Sequence, residues 1–327
     1  AFIILVPVIY ALQRKTKKSL LIYAIPLLAG LATTHAFIPP TPGPVAVADI
    51  IDVPLGWVIL VGVLAGLPAV LISGLIFGKL ISKKIHIEAP KLDNPLEIDI
   101  DLPPIAIVLS IIFIPIALIL LNTSIHAFPA FTEQHITLTT VFKFLGHPFI
   151  ALIIANLLAW YFLGIRKNYS KDELLKISSK SLAPAGTIIL LTGAGGVFKQ
   201  VLVDSGAGTA IAELMKDIGL PIIVFAFVSA AIIRIIQGSS TVAMITAAGL
   251  VSPLLVLGEH SNLELATTVI AIASGASILS HVNDSGFWLV SQYLGLTEKQ
   301  TFKSWTVMTT LLAFTGFTIT LIISAIT

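Results

Sequence analysis

An arginine followed by a glycine and three hydroxyl residues is the first pattern in this chain that could do chemistry. The run reads Arg234-Ile235-Ile236-Gln237-Gly238-Ser239-Ser240-Thr241. Small residues at such a tip leave backbone N–H groups open, and a helix starting there favours an anion. Arg234 adds a permanent cation whose planar fork suits a carboxylate. Arg234, Ser239, Ser240 and Thr241 are therefore expected to hold an anionic substrate. The competing reading of Arg234 is a side chain snorkelling at a helix end.

A second cluster, Ser280-His281-Val282-Asn283-Asp284-Ser285-Gly286, places an imidazole, an amide, a carboxylate and a hydroxyl in what reads as an unwound turn. A carboxylate at membrane depth marks function by default, and an imidazole titrates near neutral pH. Asn283, Asp284 and Ser285 are candidates for substrate contact, and His281 and Asp284 for carrying a proton. His281 and Asp284 also suit the plainer task of capping the two half-helices. A matching break starts at His35 and runs through Pro39-Pro40-Thr41-Pro42-Gly43-Pro44. Proline bars helix continuation, so carbonyls there are free to face substrate or water, with Thr41 and Gly43 as contacts and His35 as a further proton carrier. A rigid loop without ligand is the alternative. Lys199 and Asp204 follow a Gly193-Ala194-Gly195-Gly196 run and are candidates for a loose pair or an outer mouth. The glycines lack a preceding strand and a following Gly-Lys-Ser/Thr, so they are no phosphate loop; close helix packing is the expectation. No histidine spacing suggests a metal, and no hydrolase motif occurs.

The elements that must position these groups follow from composition. The chain has 327 residues, 56% hydrophobic and 11% charged, with a mean hydropathy of +1.01. Soluble domains carry about 25% charged residues, so this is an integral membrane protein. A net charge of +2 says nothing of nucleic acid, and no cysteine is present for disulfides or thiolate sites. Most Lys and Arg fall at 14–18, 79–91 and 166–180, while 122–140 and 258–263 have none. Positive charge stays inside, so the first three stretches are cytoplasmic and the other two external. Spans are expected at 55–78, 105–121, 148–165 and 305–327, with another at 182–203 broken by its glycines. Parity makes residues 19–53 one crossing, interrupted at 35–44.

Residues 219–257 read as a re-entrant hairpin entering from outside, its tip at 237–241; two full spans are the alternative. From 263 the chain runs inward and breaks at 281–286. The two ends then match: a broken helix, a short turn and a final span, one starting inside and the other outside. Inverted repeats of this kind mark many secondary transporters. The expected fold is an all-α polytopic membrane protein with inverted repeats, re-entrant hairpins and broken transmembrane helices. Residues 1–78 are the remainder of a first repeat, 79–104 a cytoplasmic linker and 105–327 the second repeat. Residues 1–12 would be the exit arm of a first hairpin whose tip is missing, and the absence of an initial Met points to N-terminal truncation.

Four stretches resemble the gluconate permease family of proton symporters. They are Thr34-His35-Ala36-Phe37-Ile38 with the prolines that follow, the run 196–206, the run 237–249 and Ser280 to Trp288. The resemblance covers essentially the whole chain. It implies proton-coupled import of gluconate or a related sugar acid through the bacterial inner membrane. It also implies membership of the ion transporter superfamily, a homodimer with elevator-like motion, and no enzymatic activity or cofactor. The partners are then a small organic anion, protons and the bilayer, with no nucleic acid. Family members start well upstream of Ala1, and often have His where this chain has Thr41. Relatives carry other solutes, D-serine among them, so a same-family carrier of another solute stays open. A passive organic-anion channel and a membrane enzyme are the alternatives from other classes.

Overall fold

The structure is a computed structural model that describes residues 2–90, 103–126, 136–206, 210, 213–214, 217 and 219–326. Among these, every regular element is helical. Five helices are long and apolar enough to cross a membrane: Leu21–Ile51, Leu55–Lys84, Ile105–Thr123, Pro148–Lys167 and Glu298–Ile326. In lipid a helix satisfies its own backbone groups, which is why such sequences fold this way. The second and fourth end on basic residues, Lys83–Lys84 and Arg166–Lys167, as the charge pattern predicts.

Both expected broken helices form. The first consists of Leu21–Phe37 and Pro42–Ile51. Pro39 has no N–H to donate and disfavours helical backbone at Ile38, which is extended at φ −114°. The Pro39–Pro40 bond is cis. The helix restarts on Pro42, whose missing N–H costs nothing in a first turn. The second consists of Asn262–Gly275 and Ser285–Leu294. Its first half opens on a capping box between Ser261 and Glu264. Each downstream half-helix has 10 residues and ends on a left-handed residue, Asp52 at φ 64° and Gly295 at φ 63°. A long span follows each, so the two ends share one order of parts. The histidines sit differently from expectation. His35 lies inside the helix Leu21–Phe37, because buried Ala36 and Phe37 carry the helix on to the prolines. His281 lies inside the second break, which spans 276–284.

The hairpin consists of Ile222–Gln237 and Ser240–Leu255, 16 residues each. At 1.5 Å per residue each arm reaches about 24 Å, short of the roughly 30 Å hydrocarbon core. Gly238 turns the chain with φ 81°, a conformation open to glycine. The arm Ser240–Leu255 packs on the half-helix Pro42–Ile51, where a Cβ on Gly43 would come within 2.8 Å of Met244 Sδ. At the other end Phe2–Thr16 lies against Ser285–Leu294. Phe2 meets Tyr293 edge-on at 6.2 Å and the Tyr10 hydroxyl donates to the Tyr293 carbonyl.

The expected break at 193–196 is absent: Lys171–Asp204 is one helix of 34 residues. Glycine inside a helix costs only about 1 kcal/mol relative to alanine, too little to end so long a segment. A Cβ on Gly193 would meet nothing within 4 Å among the described residues. By packing the chain divides into two compact units. The first comprises Ala1–Val53, Val58–Asp93 and Thr192–Thr327, and the second Pro54–Trp57 and Asn94–Leu191. Of the linker 79–104, residues 91–102 lie outside the described residues, as do 127–135 of the charge-poor loop. The linker's start is tied to the first unit: the Leu20 amide donates to the Ile87 carbonyl at 2.8 Å and Arg14 to that of Pro90 at 2.9 Å.

Candidate functional site

Arg234 sits in the last turn of Ile222–Gln237, with only 5% of its side chain exposed. One terminal nitrogen donates to the carbonyl of Gly238, the residue that turns the hairpin. The other donates to Asp284 Oδ2 at 2.5 Å, forming an ion pair whose carboxylate is 15% exposed. Its Nε is buried without a partner among the described residues. A guanidinium so enclosed is not snorkelling; it faces protein and a cavity.

Asp284 caps the half-helix Ser285–Leu294 through Oδ1, which accepts from the Gly286 amide at 2.9 Å. Its Oδ2 also accepts from the Ser280 hydroxyl. Ser280 is itself fixed from the final span. Trp305 Nε1 donates to its hydroxyl at 2.6 Å, and Thr306 Oγ1 donates to its carbonyl at 2.5 Å. Asn283 and His281 turn the other way. Asn283 Nδ2 donates to the carbonyls of Ile235 and Ile236 at 2.9 and 3.2 Å, and His281 Nε2 lies 3.0 Å from the Ile235 carbonyl. Since a carbonyl only accepts, Nε2 carries the proton. The second break thus satisfies carbonyls that the end of Ile222–Gln237 leaves open. The fit is tight: a Cβ on Gly238 would come within 2.3 Å of the Asn283 carbonyl oxygen.

Above this junction lies a cavity of about 510 Å³. Its polar wall contains His35, Arg234, Ser239, Ser240, Thr241, Asn283, Asp284 and Ser285, which the structure brings together. Ser239 caps Ser240–Leu255 by accepting from the Val242 amide at 3.4 Å, while the hydroxyl of Ser240 is buried without a partner among the described residues. Leu28, Leu31, Leu289 and Leu312 form much of the apolar wall. Thr41 and Gly43 are not in the wall. The Thr41 hydroxyl donates to the Ile38 carbonyl at 2.7 Å, and Gly43 is the packing point on Met244. Nor is His281, whose ring serves the hairpin. Asp204 accepts from Gln200 at 2.8 Å on an exposed face. Lys199 lies on the same helix, its side chain outside what the structure describes.

Sequence reasoning passed over Trp305, Thr309 and Ser277, all in the wall, and the role of Ser280. Trp305 carried a usable signal. An indole inside an apolar span needs a partner for its N–H.

This geometry of a largely buried ion pair at the meeting of a short hairpin and a broken helix suits a carrier. Comparison with known proteins agrees. The chain matches the GntP family permease profile over residues 1–326. It is 41% identical over 317 residues to the low-affinity gluconate transporter of Escherichia coli strain K12, covering 97% of this chain and 70% of that protein. It is 39% identical over 330 residues to the gluconate permease of Pseudomonas aeruginosa, covering 99% and 72%. It is 34% identical over 334 residues to the gluconate permease of Bacillus subtilis strain 168, covering 99% and 73%. These relatives are transporters rather than enzymes. With its apolar helices, the chain is a multi-pass inner-membrane protein and belongs to the GntP family of permeases.

Proposed function

We propose that this permease imports gluconate or a related sugar acid together with protons, across a bacterial inner membrane. One observation carries the reading. Arg234 Nε and Ser240 Oγ are buried, unpartnered among the described residues, and belong to residues in the wall of one cavity. A buried polar atom without a partner costs about 1–3 kcal/mol, and a carboxylate with hydroxyls could satisfy both. The names of the relatives supply the sugar acid. Asn283 and Ser285 are placed to meet substrate hydroxyls, and the proton has His35, His281 and Asp284 as candidate carriers. Lys199 and Asp204 are assigned to the outer mouth.

Every residue of the cavity wall belongs to the first packing unit, as a body that moves its substrate intact requires. Residues 1–78 and 105–327 are read as repeats of opposite orientation joined by 79–104, and the working assembly as a homodimer. The test is labelled gluconate uptake into proteoliposomes. Uptake should accumulate with an inward proton gradient and collapse when an ionophore removes it. Accumulation that survives the ionophore would sink the symport, and equal passage of unrelated anions would favour a channel.

A further inference from the structure

Resting on the reading of this cavity as a sugar-acid site, we infer that Asp284 is a resident stand-in for the substrate carboxylate. It occupies Arg234 while the cavity is empty, and yields it, protonated, to the incoming anion. Arg234 has three kinds of N–H donor. One terminal nitrogen is fixed on the Gly238 carbonyl, the other on Asp284 Oδ2, and Nε has no partner among the described residues. A substrate carboxylate that uses the guanidinium fork must take Nε and the nitrogen Asp284 now holds. Two ionised carboxylates on one guanidinium in a site of low dielectric repel strongly. The conflict disappears if a proton accompanies the anion.

The exchange balances. A proton from the aqueous phase adds to Asp284 Oδ2 and the ion pair with Arg234 opens. The neutral carboxyl keeps its Oδ1 bond from the Gly286 amide, and the substrate carboxylate accepts from Arg234. On release the proton leaves Asp284 and the pair re-forms. One proton travels with each anion, and the cavity gains no net charge. Few other charged groups compete for this role. From the hairpin Asp284 faces Arg234, from Leu21–Phe37 the nearest titratable group is His35, and the final span offers the neutral indole of Trp305. Ser240–Leu255 presents only hydroxyls, and His281 is turned to Ile235. Ser280 sets the poise, because its hydroxyl donates to the ionised Oδ2 and is itself held by Trp305.

Equilibrium binding of gluconate to the purified full chain, from mildly acidic to mildly alkaline pH, tests the exchange. Wild-type affinity should fall by about tenfold per pH unit on the alkaline side, the slope for uptake of one proton. Asp284→Asn should remove that slope and bind more tightly than wild type at alkaline pH. Ser280→Ala removes a donor from the ionised form, so its affinity should begin to fall at higher pH than wild type. Arg234→Gln should not bind at any pH. A wild-type slope retained in Asp284→Asn would overturn the inference, as would an unshifted Ser280→Ala profile. A wild type whose gluconate affinity does not vary with pH would also overturn it while leaving the sugar-acid reading intact. Binding of no sugar acid at any pH would overturn both.

Discussion

The two helix breaks occupy equivalent places in the chain, yet one is built of backbone restraint and the other of charge. In the first, the prolines at 39, 40, 42 and 44 end one helix and begin the next. Pro42 and Pro44 also strip two donors from the first turn of Pro42–Ile51, so its N-terminus has little left to offer an anion. Its polar side chain, Thr41, bonds within the break. The second break has a left-handed residue, Leu279 at φ 46°, where the first has prolines. Ser280, His281, Asn283 and Asp284 all reach other elements: the hairpin, the final span or the next half-helix. Equivalent positions have therefore divided the work. On the proposed reading the first break shapes and supports, with His35 at its edge, and the second binds.

The largest effect should come from breaking the charge in the second break. Arg234→Leu leaves Asp284 with no cation in a largely enclosed site, a change that typically costs about 3–5 kcal/mol. The expected result is lost uptake and a clearly lowered melting temperature. Adding Asp284→Leu should recover most of the stability, since removing both partners of a buried pair is often neutral. It should recover none of the uptake. If the double variant melts as low as the single one, the pair is not the source of the loss.

Next are the two glycines that bring hairpin and breaks together. Gly238→Ala combines a positive φ with a Cβ 2.3 Å from the Asn283 carbonyl oxygen, and backbone cannot move aside cheaply. Strained backbone of this kind costs about 1–3 kcal/mol, and the displaced tip should also cut the maximal uptake rate. Gly43→Ala meets only the sulfur of Met244, the far part of a flexible side chain. A smaller loss is expected there, reversed by adding Met244→Ala. Comparable and unrescued losses at both glycines would show that the first break is as tightly tied to the substrate site as the second.

Much of this was legible in the sequence. Prolines 39 to 44 and the polar run from Ser280 to Gly286 announce broken helices, because both are intolerable in an uninterrupted span. Gly238 followed by three hydroxyl residues marks the hairpin tip, and Arg234 marks its charge. What stayed hidden depends on contacts distant in sequence. Nothing local says that Arg234 pairs with a residue 50 positions away, or that Trp305 reaches back 25 positions to Ser280. Trp305 reads simply as the start of the last span, and its π-helical stretch Phe302–Thr306 leaves no trace in composition. The glycines at 193–196 misled in the opposite direction. Glycine weakens a helix without forbidding it, and Lys171–Asp204 runs straight through.

The smallest expected effect is the most direct check on the division of labour. Thr41 lies at the restart of the first broken helix, where its counterpart in order of parts is Asp284. Both are the residue that precedes a 10-residue half-helix. Asp284 caps its helix through a side-chain bond, whereas Thr41 makes no such bond and donates to the Ile38 carbonyl instead. Thr41→Ala should then cost about 0.5–1.5 kcal/mol, the worth of one intramolecular hydrogen bond, and leave the KM for gluconate uptake unchanged. Ser240→Ala, by contrast, removes a hydroxyl that has no partner among the described residues, so KM should rise while the melting temperature barely moves. A rise in KM for Thr41→Ala at an unchanged melting temperature would place the first break in contact with substrate, and the asymmetry between the two breaks would then lie in charge alone.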